Sequence, residues 1–486
     1  MSCLALLCDD FYCKHLALRS KASCRLAYFV LLCTAISVAQ SNSKIPNPLV
    51  LPDASGQLST YTTKGFIDTT NPFFQNLGTN GRTCNTCHRP EDAWTITPSS
   101  LQTRFNATAG LDPVFNFFDG TNCQTSDQST VAARQQASSL LLSKGLIRIG
   151  MTLPINAEYS LTVEKDPYGC ALTTDSSGNT IVSVYRRPLP TAGVIFLSTV
   201  MWDGRENAGG RSIHDNLISQ ARDATLGHAQ ALASPTNTQL EQIVSFQQQL
   251  FVAQSKDNLA GPLDSIGALG GPVNLSSENF FLGINDPLGG NPTGAAFTSE
   301  VFTLYRAWLN LGKGTSKYTA QRRLIAQGAE IFNNKPITIT GVAGLNDLPA
   351  LGSSFQGTCT TCHDSPNIGN HSVSAPLNIG VTDAAASAPL DVADLPVFVL
   401  TCPTPDFNGV TVFHTTDPGR ALVTGRCKDI GKTKGPILRG LAGRAPFFHN
   451  GSGASLIDAV NFYDTRFNIG LTTQEKAALV AFLSSL

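Results

Sequence analysis

The sequence predicts a mainly α fold: two small helical domains, long irregular loops and few short strands. Three observations carry this expectation. One pentapeptide, Cys-x-x-Cys-His, occurs twice, at Cys84-Asn85-Thr86-Cys87-His88 and at Cys359-Thr360-Thr361-Cys362-His363. The second copy lies between a helical run that ends near Asn333 and a capped helical run that closes the sequence. The segments between these points are rich in Gly, Pro, Ser and Thr and carry little of the alternation that marks strands.

The pentapeptide has a chemical reading. Two thiols two residues apart reach the two vinyl groups on one edge of a porphyrin and form thioethers. The adjacent imidazole then lies against the metal as its proximal ligand. Cys84, Cys87, Cys359 and Cys362 are the expected attachment thiols, and His88 and His363 the expected iron ligands. A single match is weak, because a CxxC pair also serves redox or zinc chemistry. Two matches behind an export leader point to two covalently bound haem c groups.

The leader comes first in the chain. Lys14, Arg19, Lys21 and Arg25 precede an apolar run from Leu26 to about Ala39, and Ser37-Val38-Ala39 offers small residues for cleavage. Residues 1–39 therefore read as a secretory signal, and the run is short for a membrane span. The expected destination is periplasmic or secreted, and the protein is not expected to be integral to a membrane. Thirteen cysteines sort accordingly. Four serve the pentapeptides and five lie in the leader. Cys123, Cys170, Cys402 and Cys427 remain, and sequence proximity pairs Cys123 with Cys170 and Cys402 with Cys427. A formal net charge of -1 with 14% charged residues leaves no basic stripe, which excludes nucleic-acid binding.

The first domain is expected over 45–312. Arg89-Pro90 ends any helix after the first pentapeptide. Apolar spacing predicts helices over Ser129–Lys144, stopped by Gly145, over Asn237–Ala253 and over Ser299–Gly312. Thr180–Val184 alternates as a short strand. Pro262–Ala296 reads as an irregular loop. Met201-Trp202-Asp203-Gly204-Arg205 sets an indole on a turn, and an indole between two haems suits electron relay. Gln220, His228 and Gln230 offer two amides and an imidazole, groups suited to hydrogen bonding and proton transfer toward a small oxidant.

The second domain is expected over 318–486. Thr319 is placed as the cap of a helix over Ala320–Asn333, in which Gly328 permits another helix to approach closely. Thr472 and Glu475 form a capping box that opens the closing helix. Helix, CxxCH and closing helix together are the arrangement of class I cytochromes c. Between them run Leu438-Arg439-Gly440-Leu441 and Arg444-Ala445-Pro446-Phe447-Phe448-His449-Asn450-Gly451. A short capped helix from Ser455 follows, with Tyr463 at its C-terminal end.

The two pentapeptides, the Trp-Asp-Gly-Arg stretch and the Leu-Arg…Pro-Phe-Phe-His-Asn-Gly run resemble the bacterial di-haem cytochrome c peroxidase / MauG family. The resemblance implies peroxide reduction at the first haem with electrons relayed through the second. It places Trp202 between the haems and Gln220 in the peroxide pocket. A family Glu falls near His228–Gln230, where this sequence has none. The resemblance also implies a calcium ion between the domains, held by backbone oxygens near Pro446. The expected partners are hydrogen peroxide and a small electron donor, a cytochrome c or cupredoxin, or an oxidisable substrate. The methionines are Met1, Met151 and Met201, so no Met is available to the second haem. The family's axial position falls on Tyr463, as in MauG-like members, with His371, His414 and His449 as rivals. A phenolate favours higher iron oxidation states than a thioether does. No His occurs between His88 and His214, which leaves the first haem an open sixth position unless His214 or His228 caps it. Two other classes stay open: a dioxygen-dependent di-haem oxygenase with a substrate channel in the long middle segment, and a non-enzymatic di-haem electron carrier.

Overall fold

In the computed structural model, which describes residues 43–486 except 208, 313, 315, 387 and 388, the second pentapeptide sits among helices. The helix Thr319–Asn334 runs up to it, and Thr473–Ser484 crosses that helix. The crossing is at Gly328. A Cβ there would stand 2.0 Å from the Ala478 carbonyl oxygen and 2.6 Å from the Phe482 Cβ. Phe302, Phe332, Tyr305, Trp308 and Phe482 fill the space around the crossing. Each such ring contributes roughly 1.5–3 kcal/mol by leaving water. The closing helix starts on the expected box: Thr472 accepts from the Glu475 N–H, and Glu475 accepts from the Thr472 N–H. Thr319 is not a cap. It is the first helical residue, and Tyr318 before it makes no side-chain cap.

Strands are more numerous than the sequence suggested. Fourteen of them form five small antiparallel sheets among the described residues. The largest sheet runs Gly261–Pro262, Leu250–Asp257, Gly56–Thr62, Leu49–Pro52. Another pairs Ser160–Lys165 with Val397–Thr401, which also pairs with Val412–Thr415. A third pairs Ile147–Thr152 with Thr180–Arg186. Most strands are six residues or fewer, too short for alternation to show, and two of the pairings, Gly56–Thr62 with Leu250–Asp257 and Ser160–Lys165 with Val397–Thr401, join segments far apart in sequence.

Two helix expectations give way to these contacts. The predicted Asn237–Ala253 helix stops at Gln248, and Leu250–Asp257 turns into a strand buried against Gly56–Thr62. Over Ser299–Gly312 the only helical turn is Arg306–Trp308. Asn333 accepts from the Phe302 N–H and donates to its carbonyl, and Asn367 accepts from the Thr303 N–H. These amides take the place of helical carbonyls, and Tyr305 and Trp308 are free to stack inward. The Ser129–Lys144 run divides at Ser138 into Val131–Ala137 and Ser139–Lys144, stopped by left-handed Gly145. The helix capped by Ser455 extends to Phe467, so Tyr463 is one turn inside its end.

Both expected disulfides are present, Cys123–Cys170 and Cys402–Cys427. The expected leader, 1–39, lies outside the described residues. Among the described residues no helix is long and apolar enough to cross a membrane. Gly328→Ala is expected to destabilise the chain by about 1–3 kcal/mol, because the two helices must part to admit the methyl group. A denaturant midpoint equal to that of the unaltered protein would contradict this.

Candidate haem sites

The first pentapeptide folds as one tight turn, Cys84–Thr86, with Thr83 and Thr86 capping each other. Two left-handed residues follow, Ala93 and Trp94, at φ 53° and 62°. They turn the Trp94 carbonyl back toward the motif, where it lies 3.1 Å from His88 Nδ1. The indole locks this loop by full burial and by donating to Thr60 Oγ1 at 2.9 Å. The carbonyl occupies Nδ1 and leaves Nε2 as the nitrogen free to bind a metal. Burial pushes the His88 imidazole down to about 4, opposed by the Trp94 carbonyl and reinforced by nearby His228, so the ring is neutral at neutral pH.

The second pentapeptide repeats the device. Cys359–Thr361 is the turn, with Thr358 and Thr361 as its caps. His363 Nδ1 is 2.6 Å from the Gly369 carbonyl. Gly369 has φ 79°, and a Cβ there would meet the Phe302 ring at 2.6 Å, so only glycine brings the carbonyl this close. Phe332 stands behind the imidazole at a ring separation of 5.8 Å, as Phe73 does behind His88 at 6.3 Å.

Each motif opens on a mostly apolar cavity of about 1680 Å³ at the first site and 1860 Å³ at the second, counting space open to solvent. The donors fit covalent haem. The four motif thiols are unpaired, whereas the other four described cysteines form disulfides. Burial pushes Cys84, Cys359 and Cys362 up to about 12, so they stand as thiols.

The cavities share a wall. Trp202, Arg187, Lys434, Arg444 and Pro436 line both. Trp202 Nε1 donates to the Arg187 carbonyl at 2.8 Å, and its own carbonyl accepts from the Lys434 N–H at 2.8 Å. Beside it, fully buried Arg186 pairs with Asp203 and, through two nitrogens, with Asp417. Burial pushes Asp203 up, but Arg186 and Arg205 outweigh this and hold its carboxyl down at about 2.

Gln220 lines the first cavity from the helix Ile213–Gly227, and His228 lines it from that helix's end. Asp119 accepts from His228 Nδ1 at 2.5 Å and is paired with Arg82. Burial raises the Asp119 carboxyl, yet His228 and Arg82 together leave it below the ordinary range. Asp119 and Arg82 had no signal in the sequence, since neither belongs to a motif and their partner His228 is over a hundred residues away. Gln230 is not among the residues lining the cavity, and its side chain meets Asn80 at 3.2 Å. His214 is held outside by Gln248 and Glu241. At the second site Tyr463, His371 and His449 line the cavity, while His414 is exposed on a strand beside Glu164. Burial pushes the Tyr463 hydroxyl up, with the Cys362 and Cys359 thiols adding to the shift. Among the described residues no group of three or more His, Cys, Asp or Glu gathers as a metal cluster.

Paired thiols beside a carbonyl-anchored imidazole are the donor set of a c-type haem site. No family model matches the chain. Two curated relatives match part of it. Cytochrome-c peroxidase IdrP1 of Pseudomonas sp. (strain SCT) is 38% identical over 81 residues, 14% of this chain and 21% of that protein. Cytochrome-c peroxidase IdrP1 of Denitromonas iodatirespirans is 29% identical over 149 residues, 27% of this chain and 38% of that protein. The matches thus span well under half the length of either relative. Among solved structures, a MauG-like protein associated with microbial copper homeostasis aligns at 17% identity and TM-score 0.32, covering 65% of this chain and 77% of that one. Kuenenia stuttgartiensis hydrazine synthase aligns at 13% identity and TM-score 0.29, covering 80% and 93%. The curated matches agree with the motifs: the chain is similar to the di-haem cytochrome c peroxidase / MauG family.

The Arg186 triad yields a prediction with a definite sign. Asp203 is depressed from the ordinary carboxylate value of about 3.9. Its contribution to stability is therefore complete above that value and is lost as pH falls through about 2. Acid unfolding of the unaltered chain should steepen in this window, and Asp203→Asn should remove that part of the limb. Arg186→Met, which leaves two buried carboxylates uncompensated, should cost about 3–5 kcal/mol in denaturant unfolding.

Proposed function

We propose that this chain is an exported di-haem oxidoreductase, periplasmic or secreted. In this reading it reduces hydrogen peroxide at the first site, with electrons drawn through the second from a cytochrome c, a cupredoxin or an oxidisable substrate. The observation that carries the reading is the shared wall, with Trp202 in it and one Cys-x-x-Cys-His set on each side. Haem held at each set supplies the redox-active iron. The two sets correspond to the domains 45–312 and 318–486. A calcium ion held by backbone oxygens near Pro446 belongs to the same proposal.

The chain's own residues supply position and protons. Reducing one peroxide to two waters consumes two electrons and two protons. Asp119 holds His228 by Nδ1, which leaves Nε2 to give up a proton, and the carboxylate stabilises the imidazolium when the proton returns. The His228 side chain is 37% exposed, so solvent can resupply it. The Gln220 amide, with no protein partner among the described residues, is free to hydrogen-bond a small oxidant. Trp202 is fixed by Nε1 and lies between donor and acceptor sites. Tyr463 stands in the second cavity as the axial candidate.

Pyridine haemochrome analysis should give two haems per chain, and peroxide should be consumed with a reduced donor. His228→Ala should lower kcat/KM for peroxide by about 10²–10⁴. Tyr463→Phe should change the spectrum of one haem and leave the other unaltered. Two low-spin haems that do not respond to peroxide would sink the proposal and favour an electron carrier.

A further inference from the structure

Four basic side chains in and beside the shared wall lack acidic partners. Arg187, Lys434, Arg439 and Arg444 are 5%, 7%, 2% and 8% exposed. Their hydrogen bonds run to backbone carbonyls: Arg187 to Ile96 and Lys144, Lys434 to Thr199, Arg439 to Asn367 and Arg444 to Ile437. Arg439 Nε and Nη2 have no hydrogen-bond partner among the described residues. Burial, with Arg444 adding to it, lowers Lys434 to about 7 and Arg187 to about 9, and burial alone lowers Arg444 to about 10. Asp92 acts weakly on Arg187, and Glu278 with Tyr305 on Arg439. No carboxylate lines the second cavity among the described residues. The one in the first, Asp119, is taken by Arg82 and His228.

Unpaired cations are expelled from an apolar interior unless an anion joins them. We infer that Arg187, Lys434, Arg439 and Arg444 form the binding site for the propionate carboxylates of the porphyrins. This rests on the di-haem reading above. Two haems bring four propionates, the number of cations without an acidic partner that line the two cavities among the described residues. A porphyrin fixed by its vinyl edge has its propionates on the opposite edge, and the shared wall is where each mostly apolar cavity offers unneutralised charge. Arg187, Lys434 and Arg444 line both cavities and act on both haems, whereas Arg439 lines the first alone.

The test is spectroelectrochemical and needs no peroxide. A nearby cation favours reduced iron, so its loss lowers the midpoint potential. Lys434→Gln and Arg444→Gln should lower both midpoints, Arg439→Gln only the first, and Lys434→Arg should return both toward the starting values. Unchanged midpoints in variants that retain two haems overturn the inference, as does a shift of both in Arg439→Gln. If an uncharged variant does not fold, the unaltered holoprotein decides. Infrared bands of isotopically labelled propionates should remain those of ionised carboxylates at pH 4.5, below the ordinary onset of protonation, and protonated bands there overturn the assignment. A haem count below two in the unaltered chain refutes the di-haem reading itself, a failure that leaves a different mark from unmoved potentials.

Discussion

A guanidinium with no access to water holds the wall between the two cavities. Arg186 ends the strand Thr180–Arg186 and pairs with Asp203 and Asp417, which come from two distant loops. Its neighbour Arg187 gives its carbonyl to Trp202 and takes the His449 carbonyl on its N–H at 2.7 Å. Asp203 directly follows Trp202, and Asp417 lies 3.6 Å from His449 Nε2. An apolar cluster of the same volume would stabilise the chain as well. What the ions add is direction. Both carboxylates converge on Arg186, and the residues next to each in sequence are carried to the wall with it.

The two sites repeat one local device and differ on their far sides. A capped turn presents the thiols, and a carbonyl six residues past each His takes Nδ1. An aromatic ring backs each imidazole. Across the first cavity stand Gln220 and the His228–Asp119–Arg82 chain, groups that exchange protons or hydrogen bonds. Across the second stands Tyr463, whose hydroxyl burial keeps protonated in the absence of a metal. The same proximal chemistry thus meets the His228–Asp119–Arg82 chain in one cavity and, in the other, a phenol with two histidines, His371 and His449, and no carboxylate among the described residues. In the proposed reading, that asymmetry, rather than the motifs, is what would separate a site for a small polar oxidant from a site for electron passage.

Legibility in the sequence follows the range of the interactions. The attachment turns, both disulfides, the Thr472–Glu475 box and the close approach at Gly328 were readable because each is set within a few residues or by one residue type. Trp202 and Gln220 could be singled out as residue types suited to electron relay and hydrogen bonding, Tyr463 only through the family resemblance, and the structure places all three on cavity walls. The strands were not readable, since Leu250–Asp257 depends on a partner almost two hundred residues earlier. The same holds for Asp119, which gains its role from His228. Ser299–Gly312 misled because Phe302, Tyr305 and Trp308 have helical spacing, while the amides that override the helix come from Asn333 and Asn367. Gln230 misled because it follows His228 closely in sequence, and a left-handed residue at that point turns the chain away.

A relay between two sites works only if their separation is fixed, because electron tunnelling falls steeply with distance. The proposed function has this requirement, and the fold interleaves segments from both halves of the chain. Ser160–Lys165 shares a sheet with Val397–Thr401. Tyr305 donates to the Ser485 carbonyl, and the Leu486 carbonyl accepts from both Gln254 and Gly440. Lys144 reaches Asp391, and Ser198 reaches the His371 carbonyl. A hinge between two independent haem modules would have to break all of these together with the Arg186 triad. These contacts tie Trp202 to both pentapeptides, and the wall that would space the two haems carries an indole among buried cations.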